Sequence, residues 1–199
     1  MPLNIAIADY GVGNLHSIRK ALELCGSNPR VEKDMGSLLD AECIVFPGVG
    51  AFSRTMEKLI PYREQIVELL NNGTPCLGIC IGAQILFEGS EEGDSPGLGY
   101  FKGKVIRLEA EKVPHMGWNH VKSQDPIFDS IDSRYFYFAH SFHGSPNEDV
   151  VAGRTDYYVE FPSAFRKRNV VGTQFHPEKS STSGLRFLRN FVEFAEGCV

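Results

Sequence analysis

The chain has 199 residues, 42% hydrophobic and 23% charged, an ordinary globular balance that excludes a disordered or collagen-like chain. Its formal net charge of −5 gives no reason to expect a nucleic-acid surface, and no apolar run is long enough to span a bilayer. The start, Met1-Pro2-Leu3-Asn4, lacks the basic region of a signal peptide, so a cytoplasmic location is the default expectation. Cys25, Cys43, Cys76, Cys80 and Cys198 are odd in number and irregularly spaced, which suggests neither a disulfide framework nor a zinc site. The length suits one domain, residues 1–199.

In chain order, residues 3–8 form an apolar run ending in Asp9-Tyr10-Gly11, a buried strand meeting a turn. Asn14 can cap a helix with Leu15, Ile18, Leu22 and Cys25 on one face and Gly26 just past its end. Cys43–Phe46 is a second buried strand, leading into Pro47-Gly48-Val49-Gly50. Ile66, Leu69 and Leu70 mark a helix stopped near Asn71-Asn72-Gly73, and residues 75–79 read as another core strand. Strand, turn and amphipathic helix in this order are the signature of a parallel α/β sheet.

The pattern changes after a polar surface loop at residues 88–97. Strand-like segments dominate at 103–108, 135–139, 150–153, 161–165 and 170–175, predicting added antiparallel strands in the same domain. Phe165-Arg166-Lys167-Arg168 reads as a solvated edge. A last helix at residues 183–195 is expected to bury Leu185, Leu188, Phe191 and Phe194, with Arg186 and Arg189 outside.

The sharpest chemical signal is Gly78-Ile79-Cys80-Ile81-Gly82-Ala83-Gln84. It follows a strand and leads into Ile85-Leu86-Phe87, so Cys80 falls at a strand-to-helix turn where small flanking residues leave its side chain at the apex. Backbone dipoles at a helix start favour thiolate, the form that attacks a carboxamide carbon. The plain alternative is a small core cysteine, the role expected of the other four.

A thiol nucleophile needs a base, and Gln174-Phe175-His176-Pro177-Glu178 supplies one at the end of another predicted strand. Histidine titrates near pH 6.5, and Glu178 can accept from the other ring nitrogen and fix its tautomer. Alone, His176 could equally be a loop histidine with an acidic neighbour. His16, His115, His120, His140 and His143 are expected to be solvated or structural, with no pair in a metal-binding context.

Together these segments resemble the class I, or triad, glutamine amidotransferases. The resemblance assigns nucleophile, base and orienter to Cys80, His176 and Glu178, and it implies a flavodoxin-like fold with a mixed, largely parallel sheet between helices. It further implies oxyanion donors at Val49, Gly50 and Ile81, and glutamine contacts from Gly50, Gln84, Ser141 and Phe142. Residues 9–15, 47–52, Met116-Gly117-Trp118-Asn119 and His140-Ser141 narrow the likeness to one branch of the family. In that branch the ammonia passes to a separate cyclase subunit, a barrel protein, in a one-to-one heterodimer. No metal or organic cofactor is implied. The turn at 47–50 is where such a partner would control activity, the expectation being a Val49 peptide poorly placed until the partner binds.

Ile81 and Ala83 stand where leucine and methionine are frequent in the family, and Phe142 stands where tyrosine is common. The alternatives are a glutaminase serving another synthase (for anthranilate, guanylate, carbamoyl phosphate or pyridoxal phosphate), a thiol hydrolase on a related scaffold, and a non-enzymatic scaffold.

Overall fold

The computed structural model describes residues 1–11 and 15–199. The first half alternates strand and helix: β1 (Asn4–Ala8), α1 (Leu15–Leu24), β2 (Asn28–Glu32), β3 (Cys43–Phe46), α2 (Phe52–Leu59), α3 (Arg63–Asn71), β4 (Cys76–Ile79) and α4 (Ile81–Gln84). Strands then dominate: β5 (Gly103–Arg107), β6 (His115–His120), β7 (Tyr135–His140), β8 (Phe142–Pro146), β9 (Val151–Tyr157), β10 (Val159–Lys167) and β11 (Val170–Thr173). The helix α5 (Ser181–Glu196) closes the chain.

Seven strands form one sheet in the order β2-β1-β3-β4-β11-β10-β9. The first five run parallel, and β10 and β9 add to the edge in antiparallel sense. The parallel order is that of a flavodoxin-like sheet, in which ligands gather outside the carboxyl ends of the strands. Two antiparallel pairs, β5 with β8 and β6 with β7, stand beside those ends.

Alternation along the strands divides the core into two layers. Ile5, Ile7, Val45 and Leu77 face Ile18 and Leu22 of α1 and the buried face of α5. Ala6, Ala8, Ile44 and Phe46 face Phe52 and Met56 of α2 and Ile66 and Leu70 of α3. Phe128, Phe136, Phe175 and Phe187 interlock as one aromatic cluster, with ring centroids of Phe136 and Phe175 4.2 Å apart. Phe187→Ala is therefore expected to lower stability by about 3–5 kcal/mol, read as a shifted midpoint in denaturant unfolding.

Several elements depart from the sequence reading. The strand β2 carries Pro29 yet pairs only with β1, at the sheet edge where a missing N–H is tolerated. The helix α2 was not anticipated, although its buried Phe52, Thr55, Met56 and Leu59 fall at helical spacing. The strands β6 and β8 were also missed. Along α5 the buried stripe is Phe187, Leu188, Phe191, Val192 and Ala195, and Leu185 and Phe194 are only half-buried. The basic run at residues 166–167 is pinned rather than free: Arg166 pairs with Asp125 and Lys167 with Glu148, each at 2.8 Å. The expected cap of α1, Asn14, lies outside the described residues. Among the described residues no helix is long and apolar enough to cross a membrane.

Candidate active site

The Cys80 turn forms where β4 ends. Cys80 has φ +51° and ψ −108°, a strained conformation for a residue with a side chain, and its carbonyl accepts from Ala83 and Gln84 N–H to open α4. Its own N–H is held by the Thr173 carbonyl at 2.6 Å, which ties the turn to the end of β11. The helix is a single turn, shorter than Ile85-Leu86-Phe87 suggested. The carbonyls of those residues are taken instead by Leu98, Phe101 and Gly99 N–H.

Two glycines set the neighbourhood. A Cβ on Gly48 would collide with the Ile79 carbonyl and lie 2.9 Å from Cys80 Cβ, and one on Gly82 would strike the Phe46 carbonyl. Only bare backbone lets the 47–50 turn lie against Cys80.

The strand β11 stops at Thr173, two residues before the expected end; Gln174 N–H still meets the Ser163 carbonyl of β10, and Thr173 Oγ1 turns to the Phe175 carbonyl. The chain then bends to present His176, whose side chain is 1% exposed against 7% for Glu178. Its Nδ1 lies 2.8 Å from Glu178 Oε1, and its ring lines the same cavity as Cys80. Ser180 Oγ donates to the His176 carbonyl and accepts from Tyr137 N–H, locking His176 to β7. Burial alone would push His176 down; the Cys80 sulfur and then Glu178 overcome it and raise the ring to about 10. Cys80 and Glu178 thus both favour the protonated form of the His176 ring.

The other cysteines are not poised in this way. Burial pushes the Cys43 and Cys76 thiols well up, and Cys25, half-buried, rises to about 11. Cys198 is exposed, which corrects the expectation that all four are core residues.

Val49, Gly50, Cys80, Ile81, Gln84, Ser141, Phe142 and His176 all line one cavity of about 310 Å³, and Glu178 stands behind His176. A larger surface recess of about 590 Å³, lined in part by Glu91, Arg107, Glu109 and Glu111, holds none of these residues. The cavity also includes Glu92, Pro114, Met116, Ala139, His140 and Lys179, which sequence reasoning did not single out as site residues. Glu92 comes from the polar loop and accepts from Phe52 N–H at 2.9 Å, a placement with no local sequence signal.

His115 and His140 are not solvated but form a buried pair, Nδ1 to Nε2 at 3.0 Å, and His140 also lines the cavity. His115 is stacked between Phe138 and Tyr157, with centroids at 4.7 and 3.9 Å. Burial lowers His115 to about 4 and, despite its bond to the Phe142 carbonyl, His140 to about 3. Because the unfolded chain takes these protons near pH 6.5, their contribution to stability is whole above that value and is lost as pH falls toward 3–4. Acid titration of the folded chain should cost on the order of a few kcal/mol from His140 alone, read as a falling unfolding midpoint below pH 6.5. Among the described residues no group of His, Cys, Asp or Glu could hold a metal ion.

The chain matches the family described as glutamine amidotransferase class-I over residues 6–194. It belongs to that family. Among its relatives, the imidazole glycerol phosphate synthase subunit HisH of Thermococcus kodakarensis is 49% identical over 196 residues, covering 94% of this chain and 98% of the relative. The protein of the same name from Methanocaldococcus jannaschii is 49% identical over 194 residues, covering 95% and 98%. In fold, the chain is similar to a crystal structure of a glutamine amidotransferase, with TM-score 0.76 at 18% identity, covering 96% of this chain and 98% of that one. The structure of PurLQS from Thermotoga maritima gives TM-score 0.75 at 20% identity, covering 98% and 99%.

Proposed function

We propose that this chain is the glutaminase subunit of an imidazole glycerol phosphate synthase, hydrolysing L-glutamine to L-glutamate and ammonia. The ammonia would pass to a cyclase subunit, which joins it to a ribulosyl aminoimidazole carboxamide nucleotide. The products are imidazole glycerol phosphate and aminoimidazole carboxamide ribonucleotide. The observation that carries this reading is near-full-length 49% identity to HisH subunits in a chain whose Cys80 and His176 line one cavity, with Glu178 bonded to His176.

In the cycle we propose, the Cys80 thiolate attacks the side-chain amide carbon of glutamine. The His176 imidazolium gives its proton to the departing nitrogen, ammonia leaves, and a glutamyl thioester remains. His176 then takes a proton from water as the oxygen attacks the thioester, releasing glutamate and the sulfur. Glu178 holds the imidazole in one tautomer throughout. Ile81 N–H and a peptide of the Val49-Gly50 turn are our candidates for the two oxyanion donors, each worth about 3 kcal/mol in the transition state. The Val49 peptide is where we place partner control.

For glutamine itself, Gly50, Ser141 and Phe142 offer backbone contacts at the cavity wall. Both amide hydrogens of Gln84 are engaged by the Phe142 carbonyl and Gln174 Oε1, so its oxygen is the atom to meet the α-ammonium group. The Glu92 carboxylate would meet the same charge.

A barrel-fold cyclase in a one-to-one heterodimer is the partner we infer. Its docking is supported by the outer face of β6 and β7, where Met116 is 63% exposed, Trp118 53% and Tyr135 52%. Aromatic and methionine side chains at this density mark contact surfaces, and Met116 and Ala139 also border the cavity. The test is glutamate release from glutamine by the purified chain, with and without the cyclase subunit and its nucleotide. Release that rises strongly with both supports the assignment. Equal release in all states would remove partner control, and activation by a different synthase subunit would remove the pathway.

A further inference from the structure

The segment that supplies the base begins with Gln174, which has no part in the triad. Its side chain is 1% exposed, and its Nε2 lies 3.5 Å from Cys80 Sγ. The two ends of a carboxamide are alike in outline, so the direction of this contact must come from its neighbours. The Phe142 carbonyl, which can only accept, is 2.8 Å from Gln84 Nε2 and fixes that side chain. The same nitrogen is 3.1 Å from Gln174 Oε1. Gln174 therefore turns its oxygen to Gln84 and its N–H to the sulfur.

A second chain of bonds holds the Phe142 carbonyl still. His140 Nδ1–H donates to it at 2.9 Å, leaving Nε2 to accept from His115 Nδ1–H at 3.0 Å. His115 Nε2 accepts from Asn119 Nδ2 at 3.2 Å, and that nitrogen also donates to the Asp156 carbonyl at 2.9 Å. The chain ends on a backbone carbonyl at each side, so every donor in it has one direction available. This rigid frame aims one N–H at the sulfur.

We propose that Gln174 is a further catalytic residue, donating a hydrogen bond to the Cys80 sulfur that favours the thiolate and aims it at the amide carbon. The proposal rests on Cys80 being the nucleophile of the glutaminase reaction. A donor to the charged form of a group favours that form, and bonds to an ionised partner are about twice as strong as neutral ones. A buried amide that merely satisfied its own polar atoms would affect stability alone, and would leave the pH at which the sulfur reacts untouched.

The experiment follows iodoacetamide alkylation of Cys80 against pH, resolved by peptide mass from the other cysteines. It uses the natural chain, Gln174→Met and Gln174→Glu, each checked for folding by near-ultraviolet circular dichroism. The alkylation midpoint should rise by about one pH unit in Gln174→Met and further in Gln174→Glu, which adds a negative charge. At pH below the midpoint the net rate loss should be only about threefold, because a more basic thiolate is also the better nucleophile. An unchanged midpoint in a folded variant overturns the proposal.

In the natural chain, the Gln174 carboxamide resonance in a nitrogen-15 spectrum should titrate at the midpoint of Cys80 alkylation. A resonance indifferent to that transition overturns the proposal even if neither variant folds. Failure of the glutaminase reading looks different: the midpoint shifts as described, yet the natural chain with its partner releases no glutamate.

Discussion

Cys80→Ala is expected to abolish glutamate release, a loss of at least about 10⁴-fold, while the complex with the cyclase still makes imidazole glycerol phosphate from free ammonia. No other sulfur can take over, because Cys43 and Cys76 are buried with thiols pushed well up, and neither lines the cavity. The substitution removes one small atom whose contacts are the Gln174 amide at 3.5 Å and the Ala139 carbonyl at 3.9 Å. Folding and docking should therefore survive, and thermal unfolding checks the first. Paired assays with glutamine and with ammonium chloride separate the two half-reactions. Loss of both would indicate a damaged complex, and retention of the glutamine reaction would remove Cys80 from the mechanism.

Glu178→Gln is the second large effect, with an expected fall of about 10²–10⁴-fold in kcat/KM for glutamine. The carboxylate accepts from His176 Nδ1–H at 2.8 Å inside the fold, where an amide of the same shape can present N–H instead and reverse the tautomer. It is also one of the groups that lift His176 to about 10 against the effect of burial. Without it the imidazolium should lose its proton at lower pH, and the alkaline limb of the pH–rate profile should move down. The stabilisation from this raised histidine is whole below about pH 6.5 and is lost as pH climbs through the folded value. In the variant that loss should come earlier. A profile whose alkaline limb stays in place would show that Glu178 does not set the state of the base.

The cluster proposed as the triad was legible because each member sits in a short segment with a local reason: a glycine-flanked cysteine after an apolar strand, and His-Pro-Glu after another. The parallel half of the sheet was legible for the same reason, since β1, β3 and β4 are unbroken apolar runs with both faces buried. The strand β6 was not, because His115-Met116-Gly117-Trp118-Asn119-His120 has no apolar alternation. It becomes a strand by pairing with β7 and by stacking His115 between two aromatic rings. Pro29 similarly hid β2, whose edge position only the assembled sheet reveals.

Within the site, the hidden residues are those whose roles depend on several segments at once. Gln84 was already expected as a glutamine contact, but its joining with Gln174, His140, His115 and Asn119 into one hydrogen-bonded frame, drawn from four stretches of chain, was not. No single stretch carries a motif for it. Glu92 was read simply as part of a surface loop, which is correct for its backbone. Its carboxylate turns inward because Phe52 N–H, at the start of α2, needs an acceptor.

The most direct test of the central claim follows nitrogen from glutamine to product. The chain and its cyclase are supplied with glutamine labelled with nitrogen-15 at the side-chain amide, the cyclase substrate, and an excess of unlabelled ammonium at a pH where little of it is free ammonia. The account predicts imidazole glycerol phosphate carrying the label, with unlabelled glutamate released in equal amount. Product drawn from the unlabelled ammonium, or glutamate released with no label in the ring, would contradict it.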